Sequence, residues 1–177
     1  MKTLFFLGAV VVIILGSGIF ALRSHGLSAR SKPWAIEVWI ARNVRSFATP
    51  IKVRDLKNPL SSDPVLLAEA RDHFADHCAQ CHANSGSGKT MFGEGMYPPP
   101  PDLRLKSTQE LTDGELFNIV QNGIRFTGMP GFGGDDVVNW KLVLFLRHIP
   151  DLSEEEQELM SEVNKMSLEK GSQHENH

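Results

Sequence analysis

The chain has only two cysteines, Cys78 and Cys81, and His82 follows the second. All of its thiol chemistry therefore sits in one stretch, Asp76 to Thr90, DHCAQCHANSGSGKT. Two cysteines three apart cannot make a disulfide framework. A structural zinc needs four ligands, and there is no second cysteine pair, so His73 and His77 would have to be recruited. A thioredoxin-like dithiol expects a βαβ setting, and no run here alternates like a strand. What remains is attachment of a c-type haem. Two thiols one helical turn apart form thioethers with the vinyl groups, and an imidazole just after them reaches the iron.

The same stretch almost spells a second motif. ANSGSGKT approaches the G-x-x-x-x-G-K-[ST] loop that cradles nucleotide phosphates, but Ala83 stands where the first glycine belongs. Such a loop must leave a strand and open a helix. Here a helical pattern precedes it, and MFGEGMYPPPP follows Lys89-Thr90 and cannot start a helix. The reading is a flexible Gly/Ser loop, with no nucleotide. The formal charge of −3 likewise argues against nucleic acid.

The surroundings read as all-α. Asp63 or Ser62 caps a helix with Pro64 at its first position, and Val65, Leu66, Ala70 and Phe74 recur at helical spacing up to Cys78. Thr112 and Glu115 form a capping box for a second helix that stops at Gly123. A third, DDVVNWKLVLFLRHI, carries Val137, Trp140, Leu144 and Phe145. Roughly 85 residues of short helices and long loops would have a poor core unless they wrapped around a cofactor.

Both ends of the chain carry extra segments. Leu4 to Leu22 holds no charge and is about as long as a ~30 Å hydrocarbon core is thick. It reads as a membrane anchor, with a cleaved signal peptide as the rival. Arg23, Arg30, Lys32 and Arg42 follow it, and the positive-inside rule alone would keep them in the cytoplasm. WAIEVWIARNVRSFA (34–48) predicts a helix with Ile36, Ile40, Val44, Phe47 and Ala48 on one face, packed on the domain or lying on lipid. Residues 49–63 have no clear period and read as a linker. Beyond 150 the chain is acidic. Ser153 and Glu156 cap a helix whose stripe is Leu159, Met160, Val163 and Met166, docked on this domain or on a partner. His174 and His177 end the chain in a frayed tail rather than a metal site.

A haem iron with His82 on one side has a sixth position. Met129 lies in TGMPGFGG, a loop stiffened by Pro130 between Gly128 and Gly131, where a thioether has no helical core to fill. Met96, in GEGMYPPPP, is the alternative; Met160 and Met166 fit packing. A thioether raises the potential and closes the iron to outside ligands.

From about Pro64 to Ile149 the sequence resembles a class I c-type cytochrome, the small single-haem kind of bacterial respiratory chains. HFADHCAQCH resembles the family's first helix and attachment site, and YPPPPDL its proline loop. LTDGELFNIVQNGIRFTGMPGFG resembles its third helix and methionine loop, and VVNWKLVLFLRHI its last helix, which crosses the first. The resemblance implies one covalent haem c on Cys78 and Cys81, with His82 and Met129 as axial ligands. It also implies a carbonyl near Pro100 or Pro101 accepting the other N–H of His82. Ala70 and Ala83 stand where the family usually has glycine.

The expected architecture is a cytochrome c fold behind an N-terminal transmembrane helix. Its parts are an anchor (1–22), an amphipathic helix and linker (23–63), the haem domain (64–150) and an acidic helix and tail (151–177). The expected role is electron transfer, not catalysis, with redox protein partners or a membrane oxidoreductase complex. Haem is attached to such proteins outside the cytoplasm, which puts the domain on the periplasmic side of the inner membrane. The alternative is a haem-based sensor or peroxidase-like protein whose sixth ligand can be displaced.

Overall fold

A computed structural model describes residues 2–174. Its helices are α1 (Lys2–His25), α2 (Ala35–Ala48), α3 (Ile51–Arg54), α4 (Pro64–His77), α5 (Ala79–His82), α6 (Met91–Glu94), α7 (Lys106–Gln109), α8 (Asp113–Asn122), α9 (Asp136–His148) and α10 (Glu154–His174). There is no strand among the described residues, so the all-α reading holds. The chain divides into two units, residues 1–31 and 32–177. His177, at the end of the expected tail, lies outside the described residues.

The first unit is essentially α1. Phe5–Ser24 is long and apolar enough to cross a membrane, and none of that span is buried within the protein.

In the second unit, α4 starts where the cap predicts: the Asp63 carboxylate accepts from the backbone N–H of Val65 and Leu66. It packs against α9, burying Ala70 and Phe74, and the Phe74 ring lies 5.2 Å from that of Phe145. Thr112 and Glu115 form the expected box on α8. Phe117 stacks on Trp140 at 4.2 Å, joining α8 to α9. Arg147 fixes the same junction, donating to the carbonyls of Gln109 and Leu111 and to the carboxylate of Asp113.

Residues 49–63, expected as a linker, are instead tied to the domain. Arg54 carbonyl accepts from the Thr112 hydroxyl (2.8 Å), and the Asn58 amide donates to the Trp140 carbonyl (2.9 Å). The Val53 carbonyl presses so closely on Gly114 that no side chain fits there. A four-residue turn has no periodicity to read, and its partners are more than fifty residues away, so the pattern alone gives no sign of it.

α10 takes the first of its two expected options and docks on this domain, along α4. Met160 is fully buried. Asn164 donates to the Ala75 carbonyl (2.6 Å) and accepts from Asn84 (2.8 Å).

Candidate functional site

The first turn after α4 is built from the C-x-x-C-H motif. Cys78 ends α4, its N–H bonded to the Phe74 carbonyl, and its own carbonyl accepts from the N–H groups of Cys81 (3.1 Å) and His82 (2.9 Å). The three side chains are thus fixed on one helical turn. Both thiols are free and half-buried. Burial, aided by the neighbouring Cys81, pushes the Cys78 thiol up to about 12, and burial also raises Cys81. Both are protonated at neutral pH. That is the opposite of a dithiol redox centre, which needs a depressed thiolate pKa. A zinc reading fails too: among the described residues no three His, Cys, Asp or Glu side chains gather as a metal site.

His82 is the polar exception in an apolar setting. Its Nδ1 is buried and has no hydrogen-bond partner among the described residues. Its ring lies 6.4 Å from that of Phe74, and burial lowers its pKa, which keeps the imidazole neutral and able to ligate. An orphaned buried nitrogen beside two protonated thiols on one turn fits a covalently attached haem.

The loop after the motif supports His82 from below. The His82 carbonyl accepts from Gly88 N–H (2.8 Å), and Thr90 donates its hydroxyl to the Cys81 carbonyl (3.3 Å). Gly88 has φ +71°, and a Cβ there would stand 2.6 Å from the Pro100 carbonyl oxygen. The glycines that mimic a phosphate loop therefore let the proline loop approach the histidine loop. Pro100 reaches this neighbourhood through Gly88, while the expected bond from His82 Nδ1 to a proline carbonyl is not formed. Ala83 adopts φ +62°, ψ 155°, a region that favours glycine, at a cost of about 1–3 kcal/mol. Here the resemblance's missing glycine has a physical consequence.

The second candidate ligand sits in a closed loop after α8. Met129 carbonyl accepts from Ile124 N–H (3.1 Å), and Met129 N–H donates to the Thr127 hydroxyl (3.1 Å). Phe132 and Gly133 return to α8 by donating to the carbonyls of Val120 and Gln121. The loop is set by backbone, as the sequence implies. The Met96 sulfur lies against Gly128, where an added Cβ would be 2.6 Å from it. Met96 therefore packs on the residue that precedes Met129.

Sequence reasoning missed Thr90, Gly93 and Asn84. A Cβ on Gly93 would meet the carbonyl oxygens of Gly88 (2.6 Å) and Cys81 (2.7 Å). Asn84 links the site's loop to α10. Only the dense glycine spacing from Gly86 to Gly95 hinted at such close backbone approach.

Residues 66–146 match the model of the family described as cytochrome C oxidase, cbb3-type, subunit III. No curated protein matches the chain.

Proposed function

Since residues 66–146 form a class I c-type cytochrome domain, which binds haem and serves electron transport, we propose that the protein is a membrane-tethered monohaem electron carrier of a respiratory-type chain. α1 is its single-pass anchor in the inner membrane, with the haem domain on the periplasmic side. The haem supplies reversible one-electron chemistry when bound. Cys78 and Cys81 would hold it through thioether bonds. His82 would offer a neutral imidazole to the iron, its Nδ1 having no partner among the described residues. Met129 offers the soft sulfur that raises the potential and bars outside ligands. The family's description suggests redox partners, including a larger oxidase complex in which this chain is a subunit.

The buried, neutral, unpartnered His82 beside two protonated thiols carries this reading. Acid–organic extraction of the holoprotein tests it. The colour should stay on the polypeptide, and complete extraction of haem would end the covalent assignment. Carbonate washing should leave the protein in the membrane; release would end the anchor.

Met129→Ala should keep the covalent haem but open the iron, so the reduced variant binds carbon monoxide and its potential falls. If Met129→Ala keeps the low-spin spectrum and Met96→Ala loses it, Met96 is the ligand. Carbon monoxide binding by the reduced wild type would favour the sensor or peroxidase-like reading instead.

A further inference from the structure

α2 is turned inside out for a helix of a water-soluble domain. Val38 and Arg45, seven residues apart and so on one face, are half-buried, and Thr49 beyond them is buried. The opposite face holds Ile36, Ile40, Val44 and Phe47, exposed by 55, 49, 59 and 92%. Trp39, at the edge of this stripe, is 62% exposed, and Trp34, just before the helix, is 69% exposed. No residue of α2 is buried. The apolar stripe therefore points away from the domain that holds the helix.

The hold on the domain side is specific. Glu37 accepts from the Tyr97 hydroxyl and from the Trp34 N–H, and Arg54 donates to the Ser46 carbonyl. The Tyr97 hydroxyl, with Trp34, keeps the Glu37 carboxyl below its ordinary value. Since Tyr97 opens the proline loop, the orientation of α2 is coupled to the haem site.

Charge selects what covers the stripe. Residues 26–54 carry six Lys or Arg against the single acid Glu37, whereas residues 55–177 carry ten against twenty acids. An anionic surface repels the bulk of the domain and attracts only the segment around α2. Chain length adds a constraint. The nine residues 26–34 reach at most about 30 Å, so the membrane crossed by α1 lies within that distance of the start of α2.

We propose that α2 is a second membrane contact: it lies in the interfacial layer of an anionic bilayer, with Ile36, Ile40, Val44 and Phe47 in lipid and the exposed Arg30, Lys32, Arg42 and Lys52 at the headgroups. Trp34 and Trp39 suit that depth. This rests on reading α1 as a membrane span. It adds that the haem domain is held in one orientation, with its proline-loop side toward the membrane.

The test uses full-length holoprotein in phosphatidylcholine–phosphatidylglycerol nanodiscs containing a photoactivatable phospholipid, with cross-links mapped by peptide. In the wild type, lipid should label both α1 and residues 35–48, and omitting phosphatidylglycerol should weaken only the second. The double variant Ile40→Glu/Phe47→Glu should keep its haem spectrum and α1 labelling but lose labelling of 35–48 by about tenfold. Labelling of α1 alone would overturn the inference, as would equal labelling of 35–48 in the variant. Cross-links from α2 to a second copy would also overturn it. An unlabelled α1 would instead defeat the anchor reading, and the inference with it.

Discussion

Two helices flank the cytochrome domain, and composition suggests the wrong one should be docked. α2 is rich in Ile, Val, Trp and Phe, yet it buries none of them. α10 begins with three consecutive glutamates, yet it inserts Met160 into the core and ties Asn164 to the Ala75 carbonyl and to Asn84. Docking here is decided by complementary placement and not by total apolar content. One apolar knob with polar partners at fixed positions seats a helix, while a broad stripe with no matching groove stays exposed.

The difference can be broken most forcefully at Met160. Met160→Ala removes a fully buried side chain and should cost about 2–5 kcal/mol in urea denaturation of the detergent-solubilised holoprotein. A loss below 0.5 kcal/mol, within the ~0.5 kcal/mol range of surface changes, would mean α10 is not seated there.

A second test examines how the α2 side is held. Gly114→Ala would drive a methyl into the Val53 carbonyl and should cost about 1–3 kcal/mol, with early hydrogen exchange confined to residues 49–58. If exchange there is unchanged, the close approach is not what secures this segment.

Acid should loosen the α10 side next. Burial opposes ionisation of Glu156, but the bonds from Ser153 and His148 outweigh it and hold its carboxyl below the ordinary 4.5. A depressed carboxylate stabilises the fold above its ordinary value and loses that contribution as pH falls through its folded value. The α10 contacts should therefore weaken below about pH 4.5, and Glu156→Gln should flatten that part of the stability profile. A variant profile identical to the wild type would remove Glu156 from the account.

The smallest effect is expected on the stripe itself. Phe47→Ser should change stability in detergent by no more than about 0.5 kcal/mol, because Phe47 is 92% exposed. A larger loss would show that the stripe is covered by the protein after all.

What could be read from the sequence follows the same division. Periodicity and caps placed α4, α8, α9 and α10, because those signals are local: Asp63, Thr112 with Glu115, and Ser153 with Glu156 all act within four residues. The C-x-x-C-H turn was legible for the same reason. What was illegible is long-range. The docking of α3 depends on Gly114 and Thr112, and the clamp of α10 on the haem loop depends on Asn84 and Asn164, eighty positions apart. The surroundings of His82 were only half legible. Its burial follows from the fold, but the Gly88–Pro100 approach appears only once the two loops are brought together.

The docking of α3 shortens the flexible part of the chain between α1 and the domain. Had residues 49–63 been a free linker, as their lack of period suggests, only loose chain would join α2 to the rest of its unit. With the chain fixed from α2 onward, only residues 26–34 remain as a leash. On the proposed membrane span, a shorter tether raises the local concentration of the domain near any partner beside that span. A four-residue turn seated on one glycine thus bears on how often the domain would meet such a partner.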